Sequence, residues 1–156
     1  MTARVFLYRP RDFNPQVEVA GCYCEYEDRI LLLKRHADKI EGLRWGVPAG
    51  KIEAGEKPIQ TAQRELFEET GIQASKLTPV GVLYIRRPEV DFIFHLFFLP
   101  LHQFPLLNVA AEEHIEECWV NLQEAKKLPL VSGAEEALEY FYLWKNDRNL
   151  EKRTYE

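Results

Sequence analysis

Two runs near the start of the chain, QVEVAGCYCEYE from Gln16 and RILLLKRH from Arg29, are rich in β-branched, aromatic and aliphatic residues. With the polar pair Glu27 and Asp28 between them, they predict a β-hairpin. Further along, LTPVGVLYIRR and DFIFHLFFL predict two more strands joined by a turn over Pro88 to Asp91, and CWVNL a short strand. Between these sets the period changes. Gly46, Pro48, Gly50, Gly55 and Pro58 punctuate a loop, and proline is tolerated in a first helical turn because its missing N–H has no partner to lose there. From Pro58, Ile59, Ala62, Leu66 and Thr70 recur at helical spacing, and Gly71 can adopt the left-handed conformation that ends a helix. Asn121 is placed to cap a brief helix through Lys127. A final helix is expected after Ser132, with Ala137, Leu138, Phe141 and Leu143 or Trp144 on its apolar side. The stretch 146–156 reads as a frayed tail. Strands interleaved with two or three helices, and no linker or repeat, predict one α/β domain over residues 1–156, a mixed sheet covered by helices on its faces.

Composition narrows this picture. A chain of 156 residues, 46% hydrophobic and 12% aromatic, is long enough to bury a sizeable core. Its formal net charge of −5 argues against a basic face for polymeric nucleic acid and leaves small phosphorylated ligands compatible. Three cysteines give no disulfide framework, and buried thiols are expected. No run approaches the ~18 apolar residues of a membrane span, so a cytoplasmic location without membrane contact is expected.

The chemistry concentrates between Gly50 and Ile72. On the predicted helix Glu65, Glu68 and Glu69 stand at i, i+3 and i+4, on one face with neighbouring Cβ atoms about 5–6 Å apart. An acidic triplet of this kind on a helix is most often a solvated face. Here Arg64 and Glu56 have the charges to pair across loop and helix, an arginine fork being able to hold a carboxylate at two points. Mg²⁺ or Mn²⁺ prefers oxygen ligands and is usually held by one or two carboxylates together with substrate phosphates, which is what the cluster offers.

The same segment, GKIEAGEKPIQTAQRELFEETGI, fills every defining position of a known pattern: Gly50, Glu56, Arg64, Glu65, Leu66, Glu68, Glu69, Gly71 and Ile72. With seven named residues at roughly one in fifteen each, a chance match is on the order of one in a million. This is the Nudix box, and the chain resembles the MutT-like Nudix hydrolases. The resemblance implies an α/β/α sandwich with the box as loop, helix and loop. It also implies Mg²⁺-dependent (or Mn²⁺-dependent) hydrolysis of the pyrophosphate bond of a nucleoside diphosphate linked to another group. Carried onto this sequence, it implies metal ligation by the Ala49 carbonyl and by Glu65, Glu68 and Glu69. Gly50, Glu56 and Gly71 would support the box, and Arg64, Glu65 and Glu68 would act in catalysis. A further carboxylate in many members lies six residues before a late tryptophan. Glu113 stands so to Trp119, with Glu112, Glu116 and Glu117 as neighbours that could serve instead. Glu113, Glu68 and Glu65 are all candidates for the general base.

Substrate recognition is less legible. Arg35, Arg86 and Arg87 end strands where cations could meet phosphate, as do Lys34 and His36. Tyr84, Phe92, Phe94 and Phe97 could stack on a base, though alternation along a strand favours core packing for most. The array resembling NADH-cleaving members is missing. Pro88, sixteen residues beyond Ile72, resembles a feature of ADP-ribose hydrolases, so ADP-ribose or a nucleotide sugar is slightly favoured. Hydrolysis of nucleoside triphosphates is the alternative, and a nucleotide-sensing module without turnover is the alternative of another class. The cysteines do not supply the context of an isomerase on the same fold. The oligomeric state stays open, a homodimer included.

Overall fold

In the computed structural model the backbone is described over residues 3–155 and side chains through 148. Eight strands and three helices follow in the order β1 (Arg4–Phe6), β2 (Pro15–Tyr26), β3 (Arg29–Arg35), β4 (Trp45–Gly46), β5 (Ala49–Lys51), α1 (Pro58–Thr70), β6 (Thr78–Arg87), β7 (Val90–Pro100), β8 (His114–Val120), α2 (Leu122–Ala125) and α3 (Ala134–Tyr155). The expected hairpin is β2–β3. Its two turn residues, Glu27 and Asp28, have φ of 48° and 62°, the left-handed pair that matches the twist of the flanking strands.

The strands form one mixed sheet in the order β1-β6-β7-β2-β3-β4, with β5 on β2 and β8 on β3. Among the strands of the described residues only the β2–β7 pair is parallel, running from Pro15 beside Asp91 to Glu25 beside Pro100 with an irregularity before Val17. Along its other edge β2 pairs first with β5, at Val19 to Gly21, and only at Glu25 and Tyr26 with β3. The sheet therefore parts between β3 and β5, and the candidate site is built around that parting.

Alternation along the strands sends side chains to opposite faces and produces two cores. On one face Tyr23, Leu32, Leu83, Ile85 and Leu96 pack against Leu138 and Phe141 of α3 and Ala125 of α2. Tyr23 and Phe141 lie ring on ring, centroids 4.6 Å apart and 7° from parallel. On the other face Ala20, Cys22, Cys24, Leu31, Leu33 and Phe97 pack against Ala62 and Leu66 of α1. Leu66 is fully buried, a removal from water worth roughly 1.5–3 kcal/mol. Helices thus cover both faces, giving the expected α/β/α sandwich. Cys22 and Cys24, with Sγ atoms 3.8 Å apart, are free thiols inside the second core.

Helix α1 begins at Pro58, as its sequence predicts. It ends at Gly71, which has φ of 79° and donates its N–H to the Phe67 carbonyl at 2.8 Å. Three short strands, β1, β4 and β5, were not legible as elements, and β8 begins at His114 rather than at Cys118. Helical backbone continues to Tyr155, over most of the stretch expected as a frayed tail; Glu156 lies outside the described residues. Among the described residues no helix is long and apolar enough to cross a membrane.

Candidate active site

Arg64 organises the solvent side of α1. Its Nε and Nη2 donate to the two Glu56 carboxylate oxygens at 2.7 and 2.9 Å, a two-point fork across loop and helix. Nη2 also donates to the Lys51 carbonyl at 3.2 Å, and Nη1 reaches Glu65 at 2.9 Å and Glu68 at 3.3 Å. One guanidinium therefore ties the β5 backbone to the acidic face of the helix. The Arg64 fork, with the Glu53 N–H and the Thr61 hydroxyl, lowers the Glu56 carboxyl from 4.5 to about 2.

Gly50 of β5 lies directly under Glu65, and a Cβ there would fall on the Glu65 carboxyl carbon. Only glycine leaves the carboxylate that position. Next to it, the Ala49 backbone lies beside the Glu69 carboxylate and favours its charged form. Glu69 is 3% exposed, and its Oε2 has no hydrogen-bond partner. Burial, then the charges of Glu65 and Glu113, push the Glu69 carboxyl well above the usual carboxylate range; burial likewise raises Glu65.

Glu113 arrives from a distant part of the chain. The Asn108 N–H donates to the Thr70 carbonyl at 2.8 Å and the Ala110 N–H to the Glu69 carbonyl at 3.1 Å, docking this loop on the last turn of α1. The Glu113 carbonyl then accepts the His36 N–H at 2.8 Å. These backbone bonds bring the Glu113 side chain beside Glu69 and the buried His114. One potential ligand atom from each of the three lies within 4.8 Å of the others. Burial, with Arg35 and Lys39 nearby, lowers the His114 imidazole to about 4, so it is neutral near pH 7 and a nitrogen lone pair is available.

A divalent cation fits this donor set. An orphaned buried oxygen on Glu69, with the charges of Glu65 and Glu113 acting on it, is costly without a positive partner, and carboxylate oxygens suit Mg²⁺ or Mn²⁺. Glu68 is placed differently: its side chain is 54% exposed and held by Arg64 at the rim.

Beside the carboxylates opens a cavity of about 480 Å³, a size typical of small-molecule sites. Glu65, Glu69 and Glu113 line one end; Phe92, Phe94, Glu41, Arg87 and Ser132 line other parts of its wall. Arg35 also faces the cavity, its Nε donating to the Ile40 carbonyl at 2.8 Å. Arg86 does not line it. Adjacent residues of a strand face opposite sides, and Arg86 is paired with Asp91 at 2.8 Å and Asp12 at 3.2 Å. Lys34 lies over Trp45 and His36 pairs with Asp38. Tyr84 packs edge-on against Phe13, and Phe97 is buried in the α1-side core. Glu41, Ser132 and His114 carried no sequence signal of their own. Glu41 meets Ser132 across 91 residues, a pairing no local pattern reveals.

Comparison with known proteins gives a consistent picture. A family profile described as NUDIX domain matches residues 15–141. The chain is 37% identical over 106 residues to the ADP-ribose pyrophosphatase of Bacillus subtilis (strain 168), a match covering 65% of this chain and 56% of that protein. It thus spans little more than half of that relative. It is 32% identical over 127 residues to the CTP pyrophosphohydrolase of Escherichia coli (strain K12), covering 80% and 90% of the two chains. Among solved structures, a MutT protein from Methanosarcina mazei Go1 superposes with a TM-score of 0.72 at 22% identity, over 86% of this chain and 96% of that one, a likeness of fold. The chain belongs to the family of NUDIX-domain proteins.

Proposed function

We propose that this chain, acting as a single domain, hydrolyses the pyrophosphate bond of a nucleoside diphosphate linked to another group, with Mg²⁺ or Mn²⁺ as cofactor. The observation that carries this reading is the unpartnered, buried Glu69 oxygen, with the charges of Glu65 and Glu113 acting on it, at the end of a nucleotide-sized cavity. When bound, a divalent cation neutralises two neighbouring phosphates and lowers the pKa of water held at the site.

The chain's own residues supply the rest. Glu65, Glu69 and Glu113, with the Ala49 carbonyl, are the proposed ligands, and Glu68 joins them from the rim. Arg64 fixes Glu65 and Glu56, so the carboxylates do not have to reorganise during reaction. Glu113 is assigned as general base. Of the three candidates it lines the cavity without a side-chain hydrogen bond among the described residues, whereas Arg64 engages both Glu65 and Glu68. It takes a proton from water as the water oxygen bonds to phosphorus and the bridging P–O bond breaks. The products are a nucleoside monophosphate and a phosphorylated remainder. Arg35, at the cavity wall, is positioned to hold phosphate oxygens.

ADP-ribose or a nucleotide sugar is the favoured substrate class, supported by the ADP-ribose pyrophosphatase relative. The CTP pyrophosphohydrolase relative supports a second reading, in which a triphosphate loses pyrophosphate. A panel of ADP-ribose, nucleotide sugars, dinucleoside polyphosphates and triphosphates with Mg²⁺ or Mn²⁺, read by phosphate release after phosphatase coupling, tests both. Turnover of a diphosphate-linked nucleotide is expected. No turnover of any member would overturn the enzyme reading in favour of a nucleotide-sensing module.

A further inference from the structure

The wall of the cavity carries a charged group that the metal chemistry does not use. Glu41, in the loop between β3 and β4, has a side chain only 8% exposed. It accepts hydrogen bonds on Oε1 from the Ser132 N–H at 2.9 Å and from the Ser132 hydroxyl. Its Oε2 lies 3.4 Å from Nη1 of Arg87. The Arg87 Nε is buried with no hydrogen-bond partner, a donor awaiting an acceptor. The Glu41 backbone has φ of 55°, a conformation that costs a non-glycine residue free energy and persists only where surroundings enforce it. Phe92 and Phe94 line the same cavity.

This group has a definite chemical preference. Ser132 donates to one Glu41 oxygen; the other, 3.4 Å from Arg87 Nη1, keeps a lone pair that can accept from a ligand N–H, while the cavity-lining Arg87 guanidinium supplies a donor. In a cavity that Phe92 and Phe94 also line, one acceptor beside one donor matches the edge of a ring that carries an exocyclic amino group next to an unprotonated ring nitrogen. Adenine has that edge at N6 and N1 and cytosine at N4 and N3; guanine has it only on its N2 and N3 side. Hypoxanthine and uracil present a carbonyl where the amino group would be, which sets two oxygens against each other at Glu41.

Resting on the reading of this cavity as the nucleotide site, we propose that Glu41, with Arg87, is the specificity-determining pair for the base and selects amino-bearing adenine or cytosine nucleotides over their oxo counterparts. A site built to hydrogen-bond one partner rejects the analogue lacking it, because its own buried groups are then left unpaired. Uridine-diphosphate sugars are thereby disfavoured among nucleotide sugars.

The test uses binding of product nucleotides, so it does not depend on turnover. Calorimetric affinities for AMP against IMP, and CMP against UMP, are measured in the presence of Mg²⁺. The amino member of each pair is expected to bind about tenfold more tightly or better. In Glu41→Gln the side chain can turn an N–H₂ toward the ligand, and the preference is expected to vanish or reverse. Ser132→Ala, which loosens the carboxylate without removing it, is expected to shrink the ratio and serves where Glu41→Gln does not fold, thermal melting reporting the fold of each. Equal affinities within each pair for the parent protein, or an unchanged ratio in the folded variants, would overturn the inference. A parent protein that discriminates the bases yet hydrolyses nothing would instead count against the hydrolase reading alone.

Discussion

The Glu65 carboxylate occupies the space directly above the Gly50 backbone, where any side chain at position 50 would have to stand. The close approach explains the glycine without appeal to turn geometry. Gly50→Ala is expected to displace Glu65 and lower turnover on the order of 10²-fold, the scale on which small misplacements act. Because the methyl group meets only the flexible Glu65 side chain, stability is expected to change little. Turnover measured beside a denaturant melt checks this, and parent-level activity in a folded variant would refute it.

Arg64 holds Glu56 by two parallel bonds, which lysine cannot reproduce. Arg64→Lys keeps the charge but loses the fork, and a loss of about 10–100-fold in metal affinity or activity is expected. Steady-state rates across a Mg²⁺ titration measure it. Rates matching the parent at every Mg²⁺ concentration would show that charge alone suffices.

Glu56 gives a pH signature of the same pair. Its carboxyl is lowered from 4.5 to about 2 in the folded protein, so ionised Glu56 favours folding. That contribution is complete above about pH 4.5 and is lost as pH falls through about 2. Urea midpoints of the parent and Glu56→Gln should therefore differ at pH 7 and converge as the solution is acidified through that window. A gap that stays constant to pH 2.5 would contradict the coupling.

Arg86 is satisfied by Asp91 and Asp12 away from the cavity. Arg86→Gln is expected to leave kcat/KM within about twofold and to lower stability only slightly, as is usual for a solvent-screened ion pair. A large rise in KM would return this residue to substrate binding.

How much of this was written in the sequence depends on range. The α1 helix, its proline start and its Gly71 stop were legible because each signal is local, and so was the β2–β3 hairpin with its polar turn. The pairing of Arg64 with Glu56 followed from charge and spacing. Strand β5 was hidden because three residues, AGK, carry no period, and its role is to present the Ala49 and Gly50 backbone to the helix. The start of β8 was hidden because Glu116 and Glu117 are both exposed and acidic, and an acidic run reads as a loop. Arg86 and Arg87 looked equivalent until strand alternation sent them to opposite faces. Glu41 owes its burial to Ser132 and Arg87, partners that only the fold brings near.

Glu69 and its neighbours are the proposed grip on a divalent cation. Calorimetric titration with Mn²⁺ at neutral pH, with a nonhydrolysable nucleotide present, compares the parent with Glu69→Gln, which nearly preserves shape and removes the charge. Saturable uptake by the parent, weakened at least about tenfold in the folded variant, is the predicted result. No uptake by the parent, or uptake at parent affinity in the variant, would contradict the account.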